Sequence, residues 1–319
     1  MKYIAICARG LEDITQLEIK EIVHVSSEVF IPGRVLFSCD TVDSLLKKTR
    51  SIIKLYELRQ VCASLDEIAV FPVASPFRIE CSRQGNHTFS SQDVQRRVGE
   101  LFFRAGNTVD LKHPISTVFV DIVENTFLVG RELHPSLLSK RSYRIKPSNQ
   151  SINACIAYGL VRLSGYMGKK ILLEPFSRDG VIAIEAALYK KGKIFSYDAL
   201  FAYVKNTEIH ATLAGVRKEI NISRIEPEWL DTKFEKNEVS FVVTCLPYPT
   251  HVVSEKDIRV LYKELFYQLT FIVKKKGVLV FLAPRLDLLK EFSSGFSLVE
   301  ERAVSTSSQV YSVLVFKKE

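Results

Sequence analysis

A chain of 319 residues, 47% hydrophobic and 25% charged, is globular and too long for one small core; it divides into two or three domains and argues against wholesale disorder. No apolar run reaches the roughly 18 residues of a membrane-spanning helix, and "MKYIAICARG" becomes charged too soon for a secretory signal, so a cytoplasmic protein is expected. The net charge of +8 favours an anionic partner through counterion release, while six cysteines and six histidines without ligand spacing predict buried thiols and no metal.

Residues 3–7 read as a strand, and Gly10-Leu11-Glu12-Asp13 opens a helix that turns Leu11, Ile14, Leu17 and Ile22 to one face, its acids placed where the helix dipole favours them. "SEVFI" and "RVLFSC" form a hairpin through the turn dipeptide Pro32-Gly33. An amphipathic helix over 41–50 and a strand over 52–61 complete a small α+β unit, residues 1–62. The next unit, residues 63–135, holds the strand "FRIECSR" and a helix whose buried stripe is Val94, Val98, Leu101, Phe102 and Ala105, with Ser90 or Ser91 as N-cap and Gly106 as the stop. "STVFVDIV" and "TFLVGRELH" close it as strands. Arg97 and Arg104, seven apart, edge one flank of the helix, and Arg83 and His87 lie on a glycine turn just upstream. These four are candidates for contact with an anionic partner; an ordinary solvated face is the plain alternative.

Residues 136–150 are polar and basic and read as a linker. Lys140, Arg141, Arg144 and Lys146 gather around Tyr143, a pattern suited to phosphate contact with stacking, or simply to a charged interdomain segment. Over 151–319 a helix is followed by short apolar strands that alternate with helices, which predicts a doubly wound, mostly parallel sheet whose ligands sit at the carboxyl ends of the strands. The last two strands lack a helix between them and predict an antiparallel end to the sheet. Three strand ends carry the polar residues: "LLEPFSRDG" ends the first strand, Asp198 the second, and "VVTCLPYPT" the fourth. Their convergence points to a nucleoside-type cofactor.

"GLEDITQLEIKE", "FRIECSRQGNHTFSSQDVQRRVGE", "VDLKHP", "KRSYRIK" and "AYGLVRLSGY" resemble the THUMP-containing RNA methyltransferases, specifically the archaeal and bacterial type that modifies guanine N2 in tRNA. The resemblance implies an α/β chain with N-terminal ferredoxin-like and THUMP α+β domains and a Rossmann-like methyltransferase domain with a mostly parallel sheet. It implies tRNA as partner and S-adenosylmethionine as cofactor. Carried over by position, Glu174, Pro175, Phe176, Gly180 and Asp198 border the cofactor, while Cys245, Leu246, Pro247 and Tyr248 handle the base. Arg83, His87, Arg97, Arg104, Lys140, Arg141 and Arg144 contact the RNA.

Two loops depart from the family. Where it reads approximately D-P-F-C-G-S-G-T-I, this chain has Glu174-Pro175-Phe176-Ser177-Arg178-Asp179-Gly180-Val181-Ile182, so an arginine replaces the first loop glycine. Where the family reads N-P-P-Y or N-L-P-Y before a glycine, Cys245-Leu246-Pro247-Tyr248-Pro249 stands. An exocyclic guanine amine becomes a useful nucleophile when acceptors hold its hydrogens and an aromatic ring holds the flipped base. Cysteine is a feeble acceptor, and losing one positioned polar group costs about 3–4 kcal/mol, a hundred- to a thousandfold in rate. Two functions follow: a tRNA guanosine-N2 methyltransferase, or a non-catalytic RNA-binding homologue that presents tRNA to a partner enzyme. A covalent role for Cys245 is disfavoured because no partner base stands in reach in the sequence, His251 being held on the same proline-locked turn.

Overall fold

Strand β1 (Lys2–Cys7) buries Tyr3, Ile4, Ala5 and Cys7 and pairs antiparallel with β3 (Arg34–Ser38), which pairs in turn with β2 (Ser27–Ile31) across the Pro32-Gly33 turn. Gly33 has φ +80°, a conformation that glycine adopts without strain. The computed structural model describes residues 1–148, 151–283, 286–306 and 309–319. These form two compact units, one of residues 1–6 and 15–138, the other of 7–14 and 139–319.

In the first unit seven strands make one sheet, ordered β2-β3-β1-β4-β7-β6-β5, where β4 is Ile52–Cys62, β5 Phe77–Gln84, β6 Ser116–Val123 and β7 Thr126–Glu132. The boundary expected at residue 62 falls at the end of β4, a strand that pairs on both its edges within this sheet. Helices α1 (Glu12–Val23), α2 (Asp43–Lys48) and α3 (Ser91–Arg104) accompany it. Helix α3 starts at a full capping box, in which the Ser90 side chain accepts from the Asp93 N–H and the Asp93 carboxylate accepts from the Ser90 N–H. Val94, Val98 and Phe102 of α3 pack with Phe77, Ile79, Val118 and Val120 of the sheet. The guanidinium of Arg34 in β3 grips Asp121 in β6 through two 2.7 Å hydrogen bonds, both residues buried, although β1, β4 and β7 stand between their strands in the sheet order. Such a reach requires a strongly curved sheet.

The second unit has the doubly wound arrangement that the alternation predicts. Its sheet runs β10-β9-β8-β11-β12-β14-β13, with β8 Leu172–Glu174, β9 Ile194–Asp198, β10 Ile220–Arg224, β11 Val239–Cys245, β12 Val273–Ala283, β13 Phe296–Ser305 and β14 Val310–Lys318. Strands β8 to β12 pair in parallel, whereas β14 is antiparallel to both β12 and β13. Helices α4 (Ala154–Leu163), α5 (Val181–Tyr189), α6 (Phe201–Leu213), α7 (Glu255–Ile272) and α8 (Leu286–Phe292) connect or cover them. Two large apolar clusters flank this sheet, one built with α4 and α5, the other with α7. The chain winds from β8 to β9 and β10 on one side and returns to β11 and β12 on the other, so the topological switch point lies between β8 and β11.

The segment expected to be a basic linker belongs to this second unit from Ser139 onward. Tyr143 is buried and its hydroxyl donates to Glu185 of α5 at 2.8 Å. No helix among the described residues is long and apolar enough to cross a membrane.

Candidate cofactor and base-handling site

In an open parallel sheet the ligand crevice opens where the strand order reverses, outside the carboxyl ends of the two central strands. Here those ends are Glu174 of β8 and Cys245 of β11. Glu174 is fully enclosed: its carboxyl accepts from the Ser196 hydroxyl at 2.8 Å and the Ala183 N–H at 3.2 Å, and burial pushes its pKa well above the ordinary carboxylate range. It joins β8, β9 and α5 from within. Cys245 is 6% exposed, and burial raises the pKa of its thiol, so the sulfur is an unionised thiol at neutral pH.

The loop after β8 is tied down on every side. Ser177 N–H donates to the Tyr197 carbonyl at 2.9 Å, Gly180 N–H to the Ser177 carbonyl at 2.7 Å, and Arg178 N–H to Asp198 Oδ2 at 2.9 Å. Asp198 also accepts from Leu200 N–H at 3.0 Å and is 6% exposed; burial raises its pKa while these two N–H groups pull it down. Asp179 accepts from Arg144 Nη2 at 3.1 Å and from the Ser151 hydroxyl at 2.7 and 2.6 Å. Buried His210 accepts the Lys146 N–H on Nε2 at 3.1 Å, which leaves Nδ1–H to donate to the Asp179 carbonyl at 3.0 Å.

Arg178 is the residue that changes the site. It lies at φ +53°, a left-handed conformation that costs a non-glycine residue roughly 1–2 kcal/mol. Its side chain, 5% exposed, crosses from the β8 loop to the end of β11: Nη1 donates to Cys245 Sγ at 3.2 Å and Nη2 reaches the Leu246 carbonyl at 3.5 Å. The guanidinium thus spans the switch-point crevice and takes the carbonyl that the family resemblance reserves for a base amine. Beyond it the Pro247 carbonyl accepts the Tyr262 hydroxyl at 2.6 Å, and Tyr248 is half-buried.

The residues expected to meet RNA divide into two groups. Arg97 and Arg104 line one hollow of about 270 Å³ on α3 with Asp66 and Glu100, their ion-pair partners, and all four are exposed. Surface pairs of this kind contribute about 0–1 kcal/mol and exchange readily for a phosphate. Arg83 donates to the Ser91 hydroxyl at 3.1 Å and lies 5.7 Å from the Phe89 ring; His87 hydrogen-bonds the Glu124 carbonyl at 2.7 Å. Lys140 is exposed. Arg141 and Arg144 differ from expectation. Arg141 Nε donates to Glu185, a carboxylate with no exposure, at 2.9 Å, and Arg144 holds buried Asp179. Both guanidinium groups are structural ties within the second unit, because the acids of α5 and the β8 loop require a counter-charge.

Residues 141–311 match the family description of the RMKL-like methyltransferase domain, and residues 54–131 match the THUMP domain. This chain belongs to the THUMP-containing, RMKL-like methyltransferases. A tRNA (guanine(6)-N2)-methyltransferase of Thermus thermophilus is 30% identical over 249 residues, 77% of this chain and 73% of the relative. One from Methanocaldococcus jannaschii is 24% identical over 94% of this chain and 96% of its own length. Among solved structures, TrmN from Thermus thermophilus superposes with a TM-score of 0.83 at 26% identity, covering 100% of this chain and 99% of that one. SMU.472, solved in complex with SAH, shares the fold at a TM-score of 0.81 and 15% identity.

S-adenosylmethionine, the donor implied for a THUMP-containing methyltransferase, does not fit this crevice as it is folded. Arg178 fills the passage between the two loops, and the loop N–H groups are engaged by Asp198 and Ser177. Gly180 makes no room for a ligand either: a Cβ there would stand 2.4 Å from Thr207 Cγ2, so glycine serves the packing of the loop on α6. Sequence reasoning missed Thr207, His210, Ser151 and Tyr262, which fix the two loops from behind. All four sit in helices or near turns with no motif around them; only the buried polar character of Thr207 and His210 within α6 is a signal, and it needs the fold to be seen.

Proposed function

We propose that this protein is a tRNA-binding member of the guanosine-N2 methyltransferases, acting on tRNA through its THUMP half and on a guanosine amine through its Rossmann-like half, with S-adenosylmethionine, the family's methyl donor, admitted only after the Arg178 side chain leaves the crevice that it occupies in the free protein. What supports the reading above all is that relatives named for this reaction on tRNA align over both halves, one of them over 94% of this chain. The exposed arginines of α3 supply cations whose present partners are weakly held. At the base-handling loop the Tyr248 ring offers a stacking face and the Leu246 carbonyl an acceptor once Arg178 has left it.

A second reading, a non-catalytic tRNA-binding homologue, draws on the same loop. The residue at the amine-holding position is a thiol, and an arginine of the protein itself bonds both that thiol and the adjacent carbonyl. Two measurements on the full chain separate the readings. Filter binding of bulk tRNA over a salt series should give affinity that falls steeply with ionic strength; salt-independent or absent binding removes both. Transfer of a radiolabelled methyl group to tRNA, read after nuclease digestion as N2-methylguanosine, supports the first reading, and its absence alongside intact tRNA binding supports the second.

A further inference from the structure

Arg178 presents an unusual combination. It stands in a backbone conformation suited to glycine, its loop is pinned by Asp198, Thr207 and His210, and its long side chain is drawn inward across the crevice that the sheet topology provides. The guanidinium ends on two consecutive residues, Cys245 at the end of β11 and Leu246 just after it. The neighbouring acid is engaged elsewhere, because Asp179 is ion-paired with Arg144 and accepts a hydrogen bond from the Ser151 hydroxyl. Asp198, at the end of β9, keeps its place but is occupied by the loop N–H of the same arginine. From this geometry we infer that Arg178 is a built-in plug: its side chain occupies the methyl-donor passage of the free protein, excludes S-adenosylmethionine, and is the principal barrier to donor uptake.

The inference rests on the proposed function for the identity of the excluded ligand, and it predicts a property of one side chain. Replacing Arg178 by glycine removes the whole obstruction and leaves the backbone in a conformation that glycine prefers. Replacing it by methionine removes the charge and keeps most of the bulk. If volume and not charge blocks the passage, the two variants behave differently.

The test is equilibrium dialysis of tritiated S-adenosylmethionine against full-length wild-type protein, Arg178→Gly and Arg178→Met, with thermal melting and tRNA filter binding on the same preparations. Wild type and Arg178→Met should bind no donor at about 1 mM, the weak end of ordinary enzyme–substrate affinities, whereas Arg178→Gly should bind at least about tenfold more tightly. Micromolar binding by the wild type overturns the inference, as does an Arg178→Gly protein that melts cooperatively and binds no donor. Arg178→Ala replaces the glycine variant if the latter does not fold. Failure of all preparations to bind tRNA, with the donor pattern as expected, counts against the proposed function and leaves the plug standing.

Discussion

At the scale of single residues, Glu174 shows how position overrides chemistry. The family resemblance gives it a cofactor to border, since an acid after the first strand of a doubly wound sheet is where such a contact belongs. The fold instead encloses it, with Ser196 and the Ala183 N–H as hydrogen-bond donors. Its raised pKa carries a consequence for stability. Above the ordinary carboxylate range the unfolded chain releases this proton while the native state keeps it, so the native state binds more protons and stability declines as pH climbs toward the native pKa. Glu174→Gln removes that proton dependence. Thermal melts of the variant and wild type should therefore coincide at acid pH and separate toward neutrality, the variant melting higher by a margin that widens as pH rises. Equal separation at every pH would show that Glu174 is ionised in the native protein. The place of Cys245 before Leu-Pro-Tyr is what the family resemblance reads as an acceptor's position; that Arg178 bonds it is not legible in the sequence, because no spacing rule links a residue in one loop to a residue 67 positions away.

At the scale of elements, hydrophobic periodicity and capping residues locate helices well. Helix α3 is capped by Ser90 and buries Val94, Val98 and Phe102 as the 3.6-residue pattern requires, though Leu101, counted in the same stripe, is 38% exposed at its margin, and Ala105 is an exposed C-cap just past the helix. The antiparallel end of the second sheet likewise follows from two strands without an intervening helix. Residues 136–148 were illegible for the opposite reason. A run of cations looks solvated, and the acids that draw two of its members, Arg141 and Arg144, inward, namely Glu185 and Asp179, are remote in sequence. Charge reversal accordingly separates the two groups of arginines. Arg97→Glu with Arg104→Glu should leave the melting temperature nearly unchanged and lower tRNA affinity, with a shallower salt dependence. Arg141→Glu should instead destabilise the second unit by about 3–5 kcal/mol, since it leaves Glu185 buried without its counter-ion; urea unfolding reads the loss. An Arg141 variant of native stability and weakened tRNA binding would return that residue to the RNA surface. In the first unit Asp121→Ala should carry a similar penalty by stranding Arg34, and the paired change Arg34→Met with Asp121→Leu should recover much of it.

At the scale of the whole molecule, the order of folds was legible because alternation of strands and helices begins only after residue 151, and because α+β segments precede it. The number of independent units was less so. Local patterns mark strands, but which strands share hydrogen bonds is a long-range property, and the first 138 residues use β4 as a common member of a single seven-stranded sheet. That shared strand sets a practical limit on dissection. The stretch matching the THUMP domain begins at residue 54, inside β4, and lacks β1, β2 and β3 altogether. Excised alone, it would display the bare edge of β4 to solvent and deprive Asp121 of its buried cation, so we expect the isolated fragment to self-associate on size-exclusion chromatography while the intact chain does not by this route. For this protein, cutting at the homology boundary would turn an interior seam into a sticky rim.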